Sequence, residues 1–182
     1  MKDISLGALT MKMAWALYNQ AVALAVPPKQ SIFPDHDCHM RTLANFQAAL
    51  LMGRHATFHL QKEYAHTEGF DDWWKAQRQM MSDDPIFTLM KHLRTEIVHT
   101  GVDYFAYSVT LYGSSSEDIL KGMATGSRET RIPDEEGWIL HDPSDPDHPS
   151  YDLVSTLEEY LRAVDLLVIE ADNRFRAARS VS

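Results

Sequence analysis

Two residues near the end of one predicted helix, Arg94 and His99, have side chains suited to chemistry on a phosphodiester. An imidazole can accept or donate a proton near neutral pH, and a guanidinium can stabilise negative charge on phosphate oxygens. Metal-free cleavage of RNA needs both kinds of group. The spacing of five residues places the two side chains about 140° apart on an ideal α-helix, so one chain does not bring them onto a shared face.

The helix that must position this pair has start and stop signals in its own sequence. Asp83 or Asp84 can cap the N-terminus, Pro85 suits the first helical position, and Gly101 suits the residue after the last turn. Between them, apolar residues recur within a sector of about 100°, the width of a stripe that faces a core. These residues are Ile86, Leu89, Met90, Leu93 and Ile97. We predict one helix between Asp83 and Gly101 that packs inward on this side.

A neighbouring flank of the same helix is a candidate interface. Phe87, Arg94 and Val98 share a flank beside the core stripe, and Phe87 and Val98 extend its apolar sector. This apolar stripe is wider than packing against one core requires, which is consistent with a second contact surface on the helix. We therefore expect this flank to meet a partner, such as a second copy of the chain.

The residues of this stretch also carry a family resemblance. The matching positions are Asp84-Pro85, Leu93-Arg94, Ile97-Val98-His99 and Gly101. They resemble the motif helix of HEPN-domain proteins, an α-helical superfamily that includes RNases of toxin–antitoxin and antiviral systems.

The resemblance implies a homodimer in which Arg94 and His99 of both chains form one composite site. His99 would act as general acid or base and Arg94 would stabilise phosphate charge, which makes a metal-independent endoribonuclease that acts on single-stranded RNA without a cofactor. Catalytic members usually have Asn, Asp or His after the Arg, and this chain has Thr95. A non-catalytic relative would instead use the helix as a protein-interaction module for an antitoxin-like partner.

Other readings of the same pair stay open. Arg54 and His59 form a second match to the pattern, so composition alone can produce it. In an unrelated helical domain, Arg94 would form a surface ion pair, and His99 would hydrogen-bond a terminal carbonyl of its helix.

A histidine set on the second predicted helix suggests an alternative function, a metal-binding helical bundle. His55, His59 and His66 lie within about 40° of one another on that helix, and such a set can hold one zinc or nickel ion with open positions. A di-iron site of the four-helix type also needs a Glu from each of two other helices. The first predicted helix contains no Glu, and the three histidines lie opposite the apolar face.

Composition narrows the function classes. The net charge is −9, which repels polyanions at long range and disfavours RNA as a partner unless the basic groups are clustered. Cys38 is the single cysteine, so an intramolecular disulfide is excluded. The chain has no glycine-rich phosphate loop, Gly-x-Ser-x-Gly elbow or Cys-x-x-Cys pair, and we expect no cofactor.

The remaining segments predict a mainly α-helical bundle of four to five helices in a single domain over residues 1–182. Helical periodicity runs over 3–26, from about 37 to 64, over 71–81 and from about 150 to the C-terminus. Asp71 or Asp72 can cap the third of these helices, in which we expect one of the Trp73 and Trp74 rings to lie in the core. Ser150 or Asp152 can start the last helix, whose predicted inner stripe comprises Leu153, Leu157, Tyr160, Leu161, Val164, Leu167, Val168, Ala171 and Phe175. The region from about 103 to 141 is predicted to be a small β insertion, because residues 104–112 alternate between apolar and polar types and short partner strands fit 128–132 and 137–141.

The N-terminal apolar segment does not fit a signal peptide, since Lys12, Asn19 and Gln20 interrupt it. No segment approaches the roughly 20 apolar residues that span a bilayer. We expect a cytoplasmic protein without a membrane partner.

Overall fold

The computed structural model describes residues 4–25, 36–100, 105–110, 135–140 and 151–179. Within these ranges the chain forms five α-helices and three β-strands, so the predicted fold class, a helical bundle with a small sheet before the last helix, is confirmed. In chain order the elements are α1 (Leu6–Ala25), α2 (His36–Tyr64), α3 (Phe70–Asp83), α4 (Pro85–Thr100), β1 (Phe105–Thr110), β2 (Glu135–Leu140), β3 (Tyr151–Asp152) and α5 (Leu153–Arg179).

α1 and α2 form an antiparallel pair. The backbone N–H of Leu6 donates to the Glu63 carboxylate over 3.1 Å, so the start of α1 lies beside the end of α2. At the opposite end, the Cys38 thiol donates to the carbonyl of Leu24 over 3.3 Å. Ser5 caps α1, since its hydroxyl accepts the N–H of Ala8.

α5 contacts each of the other four helices. Its predicted inner stripe is confirmed, because every member is buried: Leu153, Leu157, Tyr160, Leu161, Val164, Leu167, Val168, Ala171 and Phe175. The start of the helix was also predicted. The Asp152 carboxylate accepts the N–H of Ser155 over 2.6 Å and caps α5.

One carboxylate on α5 ties three helices together. Asp172 accepts hydrogen bonds from the Ser5 hydroxyl of α1 at 2.8 Å and from the Tyr64 hydroxyl of α2 at 2.6 Å, and it pairs with Arg176 one turn on. Burial and the bond to Asp172 raise the pKa of Tyr64 well above its ordinary value.

Asp84 connects α3 and α4, and both helices contribute residues to the cleft described below. Asp84 ends α3 and caps α4, because its carboxylate accepts the N–H groups of Ile86 at 2.8 Å and Phe87 at 3.3 Å, as predicted. α3 departs from prediction at its start. Asp71 and Asp72 do not cap it, and Gly69 with φ of 76° makes the turn instead.

The Trp73-Trp74 pair also departs from the sequence reading, which placed only one of the two rings in the core. Both rings are buried. The Trp73 indole N–H donates to Glu170 over 2.8 Å, and both rings lie against Phe70. The pair therefore attaches α3 to the C-terminal half of α5.

The small sheet is antiparallel with strand order β1-β2-β3. Phe105 pairs with Leu140 and Thr110 with Glu135, which confirms the predicted strands near 104–112 and 137–141. β3 pairs with the end of β2 and extends the sheet past the predicted limit of 141. The strand predicted over 128–132 and the Gly101 stop signal lie outside the described residues. Trp138 attaches the sheet to the bundle, since its ring lies 4.8 Å from that of His39.

None of the helices in the described ranges combines the length and the apolar character that crossing a membrane requires.

Candidate functional site

A cleft of about 310 Å³ lies where four helices meet, and Arg94 is one of its wall residues. The residues that α2, α3 and α4 contribute recur at helical spacing, so each of these helices presents one face, and α5 contributes a single residue. α2 contributes Leu50, Arg54 and Thr57, α3 contributes Arg78, Met81 and Ser82, α4 contributes Phe87, Thr88, Met90, Lys91 and Arg94, and α5 contributes Tyr160.

Four of these twelve residues are cationic and none is acidic. We name the site the cationic cleft after Arg54, Arg78, Lys91 and Arg94. Arg54 and Arg94 are half-buried, whereas Arg78 and Lys91 are exposed. Arg54 and Arg94 are therefore the less solvent-exposed cations of the cleft.

Neither Arg54 nor Arg94 forms an ion pair with a carboxylate of the described residues. Arg54 donates to the Thr57 hydroxyl over 2.8 Å, and its guanidinium lies 4.2 Å from the centre of the Phe58 ring. Arg94 donates to the neighbouring Thr95 hydroxyl over 3.3 Å. Most N–H donors of the Arg54 and Arg94 guanidiniums have no acceptor among the described residues, so they are available to a ligand.

The electrostatics of the cleft follow from this arrangement. Burial, and then the positive charge of Arg94, lowers the pKa of the Arg54 guanidinium below its ordinary value. An arginine stays protonated at neutral pH even so. Two like charges in a partly buried site repel each other, and a bound anion would relieve this repulsion.

Tyr160 supplies a neutral hydrogen-bond donor beside the two arginines. Its ring is 4% exposed, and burial raises the pKa of its phenol to about 12, although the charges of Arg54 and Arg94 oppose the rise. The phenol is therefore protonated at neutral pH. None of the described residues hydrogen-bonds to its hydroxyl, which leaves the O–H free to donate to a ligand.

Gly53 allows Tyr160 to reach the cleft. A Cβ at this position would lie 2.9 Å from Cε1 of Tyr160 and 3.0 Å from Cδ2 of Leu161. Those separations are shorter than a carbon–carbon contact of about 3.5–4.0 Å. The close approach of α2 and α5 thus depends on the missing side chain.

The Arg94 and His99 pair is not brought together within one chain. Arg94 lines the cleft, whereas His99 is exposed at the end of α4 and has no hydrogen bond or ion pair with a described residue. The ion pair that one reading gave to Arg94 and the helix-end hydrogen bond that it gave to His99 are absent from the described residues. On the candidate interface flank, Phe87 and Arg94 line the cleft and Val98 is 61% exposed.

The histidine set of the metal hypothesis is dispersed at the end of α2. His55 and His66 are exposed, His59 is half-buried, and His66 lies beyond the last residue of the helix, Tyr64. Across the described ranges, no group of three or more His, Cys, Asp or Glu side chains is placed to hold a metal ion.

Comparison of the chain with protein-family models, with curated proteins and with solved structures found no match.

The sequence predicts Arg94 as a site residue, but it does not predict that the three other cations lie beside it in the cleft. Arg54 was noted only as a second match to the Arg-x4-His pattern, and Arg78 and Lys91 were not singled out. One signal was available, because Arg54 follows Leu50 by four residues and Arg94 follows Phe87 by seven, so each Arg continues an apolar face. That signal cannot show that the two faces meet.

Proposed function

We propose that this protein binds a phosphate-bearing anion in the cationic cleft. The observation that carries the proposal is the convergence of four cationic side chains, with no acidic side chain among the described residues that line the cleft, in a chain of net charge −9. Planar guanidiniums match the oxygens of a phosphate group, and the Tyr160 hydroxyl can add a further donor. We further propose that the protein acts in the cytoplasm, where Cys38 stays a free thiol.

The test is calorimetric titration of the protein with inorganic phosphate and with pyrophosphate. Arg94→Ala removes one guanidinium. Because hydrogen bonds to a charged group contribute about 1.5–3 kcal/mol, phosphate binding should weaken roughly 10- to 100-fold. Arg41→Ala is the matched control, because Arg41 is an exposed arginine of α2 outside the cleft. Equal phosphate affinities in the wild type and Arg94→Ala would show that the anion does not bind in the cationic cleft.

We propose a HEPN-like ribonuclease as a second candidate function. It is supported by one observation, that Arg94 has no carboxylate partner among the described residues and His99 is exposed. Both side chains are thus available to their mates in a homodimer. If the chain is instead a non-catalytic relative, the same exposed end of α4 would serve a protein partner.

The ribonuclease proposal predicts cleavage of single-stranded RNA in a metal-free buffer with a chelator present. His99→Ala should lower the rate at least about 100-fold, since general acid–base catalysis contributes roughly 10²–10⁴. His36→Ala, at an exposed histidine at the start of α2, should cleave like the wild type. Light scattering should give twice the 20.7 kDa of one chain. Cleavage that survives His99→Ala, or a monomeric mass, would contradict this candidate.

A further inference from the structure

Apolar side chains also line the cationic cleft, and they bear on the kind of anion that fits. They are Leu50 and Met90, which are buried, and Met81 and Phe87, which are half-buried. Phe87 is half-buried, and its ring stands edge-on to Tyr160 with centroids 5.3 Å apart. A cleft lined by both apolar and cationic side chains suits a ligand that has both an anionic and an apolar part.

The size of the cleft limits the ligand. Small-molecule sites range over roughly 300–1,000 Å³, and a volume of about 310 Å³ lies at the lower end of that range. The cleft therefore takes one compact molecule, or one terminal group of a longer one. An anion as small as inorganic phosphate would leave the part of the cleft beside Phe87 unfilled.

The charge of the cleft also limits the ligand. Arg54 and Arg94 each present a fork of N–H donors, and a single carboxylate offers only one negative charge to the two of them. A phosphate monoester carries about −1.5 to −2 charges at neutral pH and three acceptor oxygens. It can accept from both forks and from the Tyr160 hydroxyl at once.

The geometry points to a compact phosphate monoester of an aromatic group as the ligand of this cleft. The phosphate lies between Arg54 and Arg94, and the aromatic ring lies against the half-buried Phe87 and Met81, where ring–ring and sulfur–ring contacts are favourable. This inference rests on the proposed anion binding and names the chemical class of the anion.

Three probes separate the two parts of this inference: inorganic phosphate, phenyl phosphate and benzoate, titrated into the wild-type protein at pH 8. Phenyl phosphate should bind at least about tenfold tighter than inorganic phosphate, because a buried ring adds about 1.4 kcal/mol. Benzoate, with the ring but one charge, should bind more weakly than phenyl phosphate. Equal binding of the two phosphates would overturn the ring assignment and leave anion binding standing. Absence of phosphate binding would overturn both.

Phe87→Leu tests where the ring lies. The variant keeps an apolar side chain and removes the aromatic face, so the ratio of the two phosphate affinities should fall to about threefold or less. Arg41→Ala should keep the wild-type ratio, and circular dichroism checks the fold of each variant. An unchanged ratio in folded Phe87→Leu would place the ring elsewhere. If Phe87→Leu is poorly folded, the comparison of the three probes on the wild type still decides the chemical class.

Discussion

At the scale of single residues, the positive charges of Arg54 and Arg94 repel each other in the cleft. Neither arginine forms an ion pair with a carboxylate of the described residues. Such an arrangement costs stability, since like charges in a partly buried site repel. Structural arginines are usually neutralised by a partner, and half-buried arginines that point into a cavity are better explained by an external anion. Arg54 and Arg94 are thus more informative about function than the exposed His99.

The raised pKa of Tyr160 gives a pH-dependent prediction. Its folded-state pKa is about 12, above the value of 10.0 for an ordinary phenol. The folded form therefore keeps a proton that the unfolded form loses. This contribution to stability is fully present below pH 10 and is lost as the pH rises towards 12.

Tyr160→Phe removes that contribution. Between pH 9 and pH 11 the variant should lose about 1 kcal/mol less free energy of unfolding than the wild type, measured by urea denaturation at both values. Other groups titrate alike in the two proteins and cancel in the comparison. An equal loss in both proteins would show that the phenol of Tyr160 ionises near its ordinary pKa.

The sequence could identify Arg94 because its signal is local. A cation follows apolar residues near a helix end, and the pattern is visible in a few neighbouring positions. Arg54 lies in α2, and its meeting with Arg94 depends on how α2 packs against α4 and α5. Periodicity fixes the face on which a residue lies, but it leaves open which faces of different helices meet.

At the scale of elements, the contact between α2 and α5 shapes the cleft, and Gly53 of α2 lies against Tyr160 and Leu161 of α5 at this contact. Gly53→Ala should gain about 1 kcal/mol of helix propensity and lose about 1–3 kcal/mol to overpacking. We expect a net loss of about 1 kcal/mol in chemical denaturation. The added methyl group would displace the Tyr160 ring, which lines the cleft, so phosphate affinity should also fall severalfold.

Gly7→Ala is the matched control for that substitution. Its Cβ would lie 3.2 Å from Cδ2 of Leu60, which is a flexible side-chain end away from the cleft. Phosphate affinity should therefore match the wild type. Equal losses of affinity in both glycine variants would show that general loosening of the bundle, rather than the position of Tyr160, controls binding.

The sequence predicts an element correctly where the residues that start or end it lie within a few positions of that end. The caps at Asp84 and Asp152 and the buried stripe of α5 required only local patterns. The start of α3 was wrong because two aspartates resemble a cap, whereas Gly69 reverses the chain before them. β3 was missed because two residues carry no periodicity, and its pairing with β2 is a contact between distant segments.

At the scale of the whole molecule, an acidic chain presents a local cationic site. The net charge of −9 repels long polyanions, while charges inside a cleft with apolar walls are screened less than exposed ones. A small anion can enter where a long nucleic acid is repelled. This contrast favours a compact ligand over an extended strand.

The most direct measurement of the central claim is an X-ray structure of crystals grown with tungstate, a tetrahedral dianion that scatters anomalously. We predict one strong anomalous peak in the cationic cleft, within hydrogen-bond distance of the guanidiniums of Arg54 and Arg94, and no such peak in Arg94→Ala crystals. Tungstate bound only at other sites, with an empty cleft, would contradict the proposal that this cleft binds phosphate-bearing anions.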